Sequence, residues 1–410
     1  MFLFVRSCFK GQPPASTPHP STAQPVPDKS SSDTADPPTG DGDGKGDEVE
    51  PETLPVPTQC QDRYSVIKYL NKGASGFVVL VRDKTADDEL KALKFISRRH
   101  DGYALREIIN QVRIKHPHVI RLEEILATSE FIILVLEYAE RGDLFAFLKE
   151  RRRFSEKRSR WYLQQLMFAV DFCHRLGIIN RDIKLENLFL RGRNKEILKL
   201  GDFGLSKDES KSSLKSSVGT VLYLAPELIT GYGKKAEYDG KKAEVWACGV
   251  VLYTMITGHY PFVRKGEREL ARVTLMTKIL HRIVDRDYPE PKHVSEGLTD
   301  LLGHMLDPDP ETRASVDDVL NHPWFRTELR FDVREYNQQI IDCIKLDDNH
   351  HKGLEDAVEE FLATRNKDSG SSSLKGEVFD LKVSLKARTL GSDEETPVRL
   401  ASSAPSAGNE

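Results

Sequence analysis

Between Tyr64 and Tyr138 the large apolar residues come in short runs rich in β-branched and aromatic side chains; from Leu144 to Leu320 they recur at helical spacing. This division constrains the fold more than any other feature, because it asks for a strand-built unit followed by a helical one. Val66, Tyr69 and Leu70 open the first unit, Phe77–Val81 follows a glycine turn, and Ala92–Ile96 makes a third β run. A helix is expected over Ala104–Ile114, then two more runs at Ile120–Leu126 and Phe131–Tyr138. The second unit predicts helices over Leu144–Glu150, Glu156–Leu176, Ala243–Ile256, Leu270–Val284, Leu298–Leu306 and Val316–Leu320. Two lobes of different class joined near Glu137–Asp143 enclose a cleft, and ligands favour such junctions.

The flanks differ in kind. Residues 11–58 hold eleven of the twenty-one prolines and run into the acidic, glycine-rich stretch Asp41–Glu48. Too few large apolar side chains are present to offset the entropy of ordering that backbone, so a disordered arm is expected. Its first part, up to Asp28, lacks acidic residues and carries Arg6 and Lys10 among Ser, Thr and Pro. That composition suits a plastid-type transit peptide as well as a plain tail. After Phe325, Leu354, Ala357, Val358, Phe361 and Leu362 mark one face of a helix that must dock on the domain or on a partner, while Phe379, Leu381, Val383 and Leu385 alternate as in a half-buried strand. The expected organisation is an arm at 1–58, a folded domain at 59–326 (lobes 64–137 and 138–326), a helical regulatory segment at 327–366 and a mostly disordered tail at 367–410.

Charge and cysteine usage exclude several functions. Sixty Lys+Arg against sixty-four Asp+Glu leave a net charge of -4, which argues against the broad basic face of a nucleic-acid binder. Arg151–Arg153 reads as a solvated helix end. Five scattered cysteines without a C-x-x-C pair form neither a disulfide framework nor a zinc site, and His116, His118 and His174 lack metal spacing. No apolar run approaches the length of a membrane span. A reducing cytoplasmic or nuclear setting fits these features.

Chemistry enters with four stretches in fixed order. Leu70-Asn71-Lys72-Gly73-Ala74-Ser75-Gly76-Phe77-Val78 can bring backbone N–H groups against phosphate oxygens, although an ordinary hairpin turn explains it equally well. Lys94, late in the third β run, can reach a phosphate if a carboxylate holds its ammonium, and Glu107 on the following helix is the natural partner; alone, the two read as surface charges. Ile179–Asn187 is far more specific: Asp182, then Lys184, then Asn187 lie between apolar runs. Twenty residues after Asp182 comes Asp202-Phe203-Gly204, behind the strand-like Ile197–Leu200, as suits a metal ligand on a movable loop. Gly219-Thr220 and Ala225-Pro226-Glu227 follow, with Arg313 as an expected ion-pair partner of Glu227.

This ordered set resembles the eukaryotic protein kinase family over about residues 64 to 326. The resemblance implies an α+β, bilobal fold: a small N-terminal antiparallel-sheet lobe with an αC helix, and a larger helical C-terminal lobe. The roles it implies are the family's general template. Asn71, Gly73, Gly76 and Val78 would lie over the phosphates of ATP, and Lys94 would hold them with Glu107 as its partner. Glu137 and Ala139 would line the hinge beside adenine, with Leu136 as gatekeeper and Asp143 at the same edge. Asp182 would orient the attacking hydroxyl, Lys184 would neutralise the transferring phosphoryl group, and Asn187 and Asp202 would ligate two Mg²⁺ ions. Arg181 would pair with a phosphate on the segment containing Ser212, Ser216 and Thr220, with Ser216 as the activating position.

Lys184 and Gly219-Thr220 point to the serine/threonine branch. Arg106–Asn110, Lys184–Asn187, Lys215–Thr220 and Tyr238–Lys241 look like the plant sucrose-non-fermenting-related kinases of subclass two, a stress-signalling branch within the calcium/calmodulin- and AMP-activated-kinase-like group. The expected partners are protein substrates, an upstream kinase and a phosphatase, with the chain itself a monomer. Asp143 and Glu186 would favour a basic residue upstream of the target hydroxyl, as in Arg399-Leu-Ala-Ser402. Five departures stand out: Asn71 for the first loop glycine, Asn180 for a histidine, Leu185 and Val221 for prolines, and Glu244 for an aspartate. None removes a metal ligand, a phosphate lysine or the catalytic carboxylate. A pseudokinase acting as a regulatory binding protein is the alternative they motivate, and a small-molecule kinase is a third reading.

Overall fold

The computed structural model of the chain describes residues 58–73, 76–98, 108, 111–128, 130–192, 196–203, 221–230, 238–345 and 379–381. All of them belong to one compact unit, Gly46–Glu410. A short helix, α1 (Thr58–Gln61), leads into strands β1 (Tyr64–Gly73), β2 (Gly76–Asp83), β3 (Glu89–Ser97), β4 (Leu122–Ala127) and β5 (Phe131–Glu137). Hairpin connections make β1 and β2, β2 and β3, and β4 and β5 antiparallel neighbours, and β5 closes against β3. Breaks in register at Val66/Lys68 and Tyr69/Asn71 mark bulges in β1, which sharpen its twist beside the glycine turn. The β runs supply the buried residues Val79, Val81, Leu93, Phe95, Ile133 and Val135, and Phe77 stacks on Phe95 with centroids 4.6 Å apart.

The helical unit contains α2 (Leu144–Arg151), α3 (Glu156–Arg175), α4 (Pro226–Thr230), α5 (Gly240–Thr257), α6 (Arg272–Val284), α7 (Glu296–Met305), α8 (Val316–Asn321), α9 (Pro323–Arg326) and α10 (Val333–Lys345), with a small hairpin of β6 (Leu188–Arg191) and β7 (Ile197–Leu200). Oxygen-bearing N-caps set the starts: Asp143 for α2, Ser155 for α3, Asp239 for α5 and Ser295 for α7. Ser315 and Asp318 form a full capping box on α8. Every residue of α5 from Ala243 to Ile256 is buried, so this helix is enclosed on all sides and the others pack around it.

The six predicted helices of this unit are all present, with ends within three residues of the predicted ones. Ile108 and Gln111–Arg113 are helical, inside the span expected at 104–114; the rest of that span lies outside the described residues. So do residues 1–57 of the N-terminal arm and the amphipathic stretch at 354–362, while Thr58, the last residue expected in the arm, opens α1. Of the expected half-buried strand, Phe379–Leu381 is β8, an antiparallel sixth strand on the edge of β4. Helix α10 is an element that periodicity did not single out.

Candidate active site

The glycine turn is a β-hairpin whose ladder runs Asn71↔Val78, Lys72↔Phe77 and Gly73↔Gly76. Gly76 is required for a reason that the sequence does not display: a Cβ there would overlap the carbonyl of Phe95 on the neighbouring strand. Val78 lies opposite Lys94 in the β2–β3 ladder, which puts the lysine directly below the hairpin. Lys94 Nζ donates to Asp202 Oδ1 at 2.7 Å, across 108 residues of sequence. Glu107, Ser212, Ser216 and Thr220 lie outside the described residues.

The stretch at 180–187 is folded on itself by its own polar groups. Lys184 Nζ donates to Asp182 Oδ2 at 2.7 Å, and Asn187 Nδ2 donates to the same oxygen at 2.8 Å and to the Asp182 carbonyl at 2.9 Å. With its amide nitrogen committed, the side-chain Oδ1 of Asn187 is left as a hard acceptor. Asn180 joins the two acidic stretches, because its Oδ1 accepts from Asp182 N–H at 3.1 Å and its Nδ2 donates to the Asp202 carbonyl at 3.3 Å. Gly201 N–H donates to the Asn187 carbonyl at 2.9 Å, a second link between them. Asp182 and Asp202 therefore share one crevice.

Their electrostatics diverge. Burial raises the Asp182 carboxyl above its ordinary range, with the Asp202 charge adding to the shift and Lys184 and Asn187 opposing it. Burial also pushes Asp202 upward, but the ammonium groups of Lys94 and Lys184 outweigh it and hold that carboxyl below its ordinary range. Asp202 and Arg181 both have positive φ, 45° and 66°. Non-glycine residues adopt that conformation rarely, and functional sites are where it collects.

Three more of the departures noted in the sequence have defined surroundings. Glu244, buried on α5, accepts from Arg181 N–H at 2.6 Å through Oε1 and meets His174 Nε2 at 2.6 Å through Oε2. Its extra methylene is accommodated with both oxygens in use. Leu185 and Val221 are fully buried and contribute packing. The expected Glu227–Arg313 pair is present as a bidentate bridge at 2.7 and 2.9 Å, with Arg313 lying over the Trp246 ring.

On the hinge side, β5 ends at Glu137. Its side chain points away from solvent and accepts from Lys199 Nζ (2.8 and 3.1 Å), Arg191 (3.0 Å) and the Arg121 N–H (2.7 Å). Its own N–H donates to the Arg121 carbonyl at 3.0 Å. The buried Ala139 follows, and its carbonyl accepts from Gly142 N–H at 3.2 Å. Asp143 commits one carboxylate oxygen to Ala146 N–H at 2.7 Å as the cap of α2. Glu186 accepts from Tyr223 OH at 3.2 Å, and burial, with the nearby Asp143 charge, raises its carboxyl above the ordinary range. Sequence reading missed the side-chain work of Glu137 and Lys199; a lysine in an otherwise apolar strand, Ile197–Leu200, was the available signal.

The arrangement offers ammonium groups, hard oxygen ligands and an acid–amide pair where the sheet meets the helical unit. Such a set suits anionic, oxygen-rich ligands with a hard divalent cation. Among the described residues, no helix is long and apolar enough to cross a membrane. The family model described as protein kinase domain matches residues 64–325. The serine/threonine-protein kinase SRK2E of Arabidopsis thaliana is 39% identical over 292 residues, covering 70% of this chain and 78% of the relative. Serine/threonine-protein kinase SAPK2 of Oryza sativa subsp. indica is 38% identical over 313 residues, covering 76% and 90%. Likeness of that extent, over a site built as described, means that the chain belongs to the protein kinase family.

Proposed function

We propose that the chain transfers a phosphoryl group from ATP to serine or threonine hydroxyls of protein substrates. The observation that supports this most directly is the bonding of Asp182, Lys184 and Asn187 to one another and, through Asn180, to the stretch that carries Asp202. Positioning and charge neutralisation dominate this chemistry, and both are assembled here. Lys94 holds phosphate oxygens and Lys184 offsets charge on the transferring group. Asp182, poised by burial, takes the hydroxyl hydrogen bond and aims the oxygen. Asn187 and Asp202 would hold Mg²⁺, which when bound supplies positive charge to the nucleotide phosphates. The paired substitutions at Asn180 and Glu244 keep these groups in place, which favours an active enzyme over a binding-only relative.

Arg181 is exposed, and its N–H is fixed by Glu244, so its guanidinium is available to a phosphate on Ser216. The acidic corner of Asp143 and Glu186 selects a basic residue upstream of the target hydroxyl. The motif likeness to the subclass-two kinases, together with the likeness to SRK2E and SAPK2, supports a place in stress or nutrient signalling. A cytoplasmic or nuclear location fits that role.

The test is transfer of labelled phosphate from Mg-ATP to protein substrates and arrayed peptides by the purified chain. Transfer is expected to vanish in Asp182→Ala and to fall at least tenfold in Ser216→Ala, and arrays should favour Arg or Lys upstream of the acceptor. Nucleotide binding without transfer by the wild-type chain would reverse the proposal.

A further inference from the structure

Helix α10 lies beyond residue 325, where the family match ends, yet it supplies a fully enclosed amide. Asn337 is 0% exposed. Its Nδ2 donates to the Phe168 carbonyl at 3.0 Å and to Asp171 Oδ2 at 2.8 Å, both on α3, and its Oδ1 faces His116 Nε2 at 3.1 Å. His116 Nδ1 accepts from His118 N–H at 3.1 Å, so a neutral ring carries its proton on Nε2 and donates to Asn337. The same ring stacks on Phe172 of α3 at 4.8 Å and meets Tyr336 of α10 edge-on at 6.3 Å. One imidazole is thus clamped between two helices.

The bonding continues toward the catalytic cleft. His118 Nδ1 meets the Leu198 carbonyl at 3.0 Å, Leu200 N–H donates to the His118 carbonyl at 2.8 Å, and Ile120 N–H donates to the Leu200 carbonyl at 2.9 Å. Leu198 and Leu200 belong to β7, which reaches Asp202 two residues later. The hinge holds β7 from another side through the Glu137–Lys199 ion pair. Apolar residues of α10, including Val333 and Ile341, are buried and dock the helix without help from an amide. A buried amide adds orientation at a desolvation cost that an apolar residue would avoid.

We infer that Asn337 is a positioning residue for phosphoryl transfer. It acts through His116 and His118 on β7, so the competent catalytic unit extends through α10 and does not end at residue 325. The inference rests on the kinase reading for its rate measurement; its structural part is measured independently.

Two full-length variants separate positioning from stability. Asn337→Leu removes all three hydrogen bonds, whereas Asn337→Asp keeps an acceptor for His116 and loses the donors to α3. The readouts are the melting temperature, amide exchange at Leu198 and Leu200, and kcat and KM for ATP. Asn337→Leu is expected to speed exchange at both amides and to lower kcat/KM by about twofold to thirtyfold, the usual span for coupling through packed networks. Asn337→Asp is expected to melt at least as early, because its carboxylate faces Asp171, yet to retain most of the exchange protection and rate. Exchange and rate that simply follow the melting temperature in both variants, or that stay at the wild-type level in both, would overturn the inference. If wild-type chain transfers no phosphate, the kinase reading fails on its own, and amide exchange still decides whether Asn337 braces β7.

Discussion

Glu244 shows how one side chain carries two jobs at the centre of the molecule. With the Arg181 N–H on one oxygen and His174 on the other, truncation takes a partner from a buried imidazole and from a part-buried backbone N–H. Glu244→Ala should therefore cost about 2–4 kcal/mol of stability, measured by chemical unfolding, and lower kcat by loosening the residue beside Asp182. Glu244→Asp, one methylene shorter, should lose one contact and fall in between. Lys199 is a comparable case, because Glu137 is buried and depends on it. Lys199→Ala is expected to cost about 1–3 kcal/mol, because Glu137 loses one buried charged donor and keeps Arg191 and the Arg121 N–H. The primary motifs were legible here, since Asp182, Lys184, Asn187 and Asp202 announce themselves by spacing. Their braces were less so: Asn180 and His174 carry no local mark of the buried partner each meets, and Lys199 is marked only as a lysine within an apolar strand.

Among the elements, α5 and α7 cross so closely that Gly249 has no room for a side chain: a Cβ would lie 2.9 Å from Leu306 Cδ2 and 3.0 Å from Met305 Cβ. Gly249→Ala should destabilise by about 1–3 kcal/mol through overpacking, despite its better helix propensity. The segment before α6 carries a pH-sensitive anchor. Glu267 accepts from Arg282 at 2.6 and 2.7 Å and from Lys278 at 3.1 Å, and these contacts lower its carboxyl from 4.5 to about 2. A depressed carboxylate contributes stability that is present above its unfolded value and is lost as pH falls through the folded one. Melting temperatures taken between pH 6 and pH 2 should fall less steeply in Glu267→Gln than in the wild type. Helix positions were readable from apolar spacing. The burial of α5 on every side was not, because a helix enclosed all round has no polar face to give it a period.

For the whole molecule, nucleotide binding should act as a clamp between the sheet and the helical unit. Mg-ATP at one hundred times its dissociation constant is expected to stabilise the chain by about 2.7 kcal/mol. Calorimetry should show the shift shrinking on chelation of the metal and in Lys94→Ala. The sequence by itself determined the order of strands and helices and the acids, amides and lysines that make phosphoryl chemistry attainable, because periodicity and short motifs are written within a few residues of one another. Only the tertiary structure decided which of those groups meet: Lys94 with Asp202 across 108 residues, Glu244 with His174 across 70, and His116 with Asn337 across 221. Such pairs arise when separate apolar faces pack and leave buried polar atoms that must find one another, a requirement imposed by the assembled core and carried by no single stretch of chain.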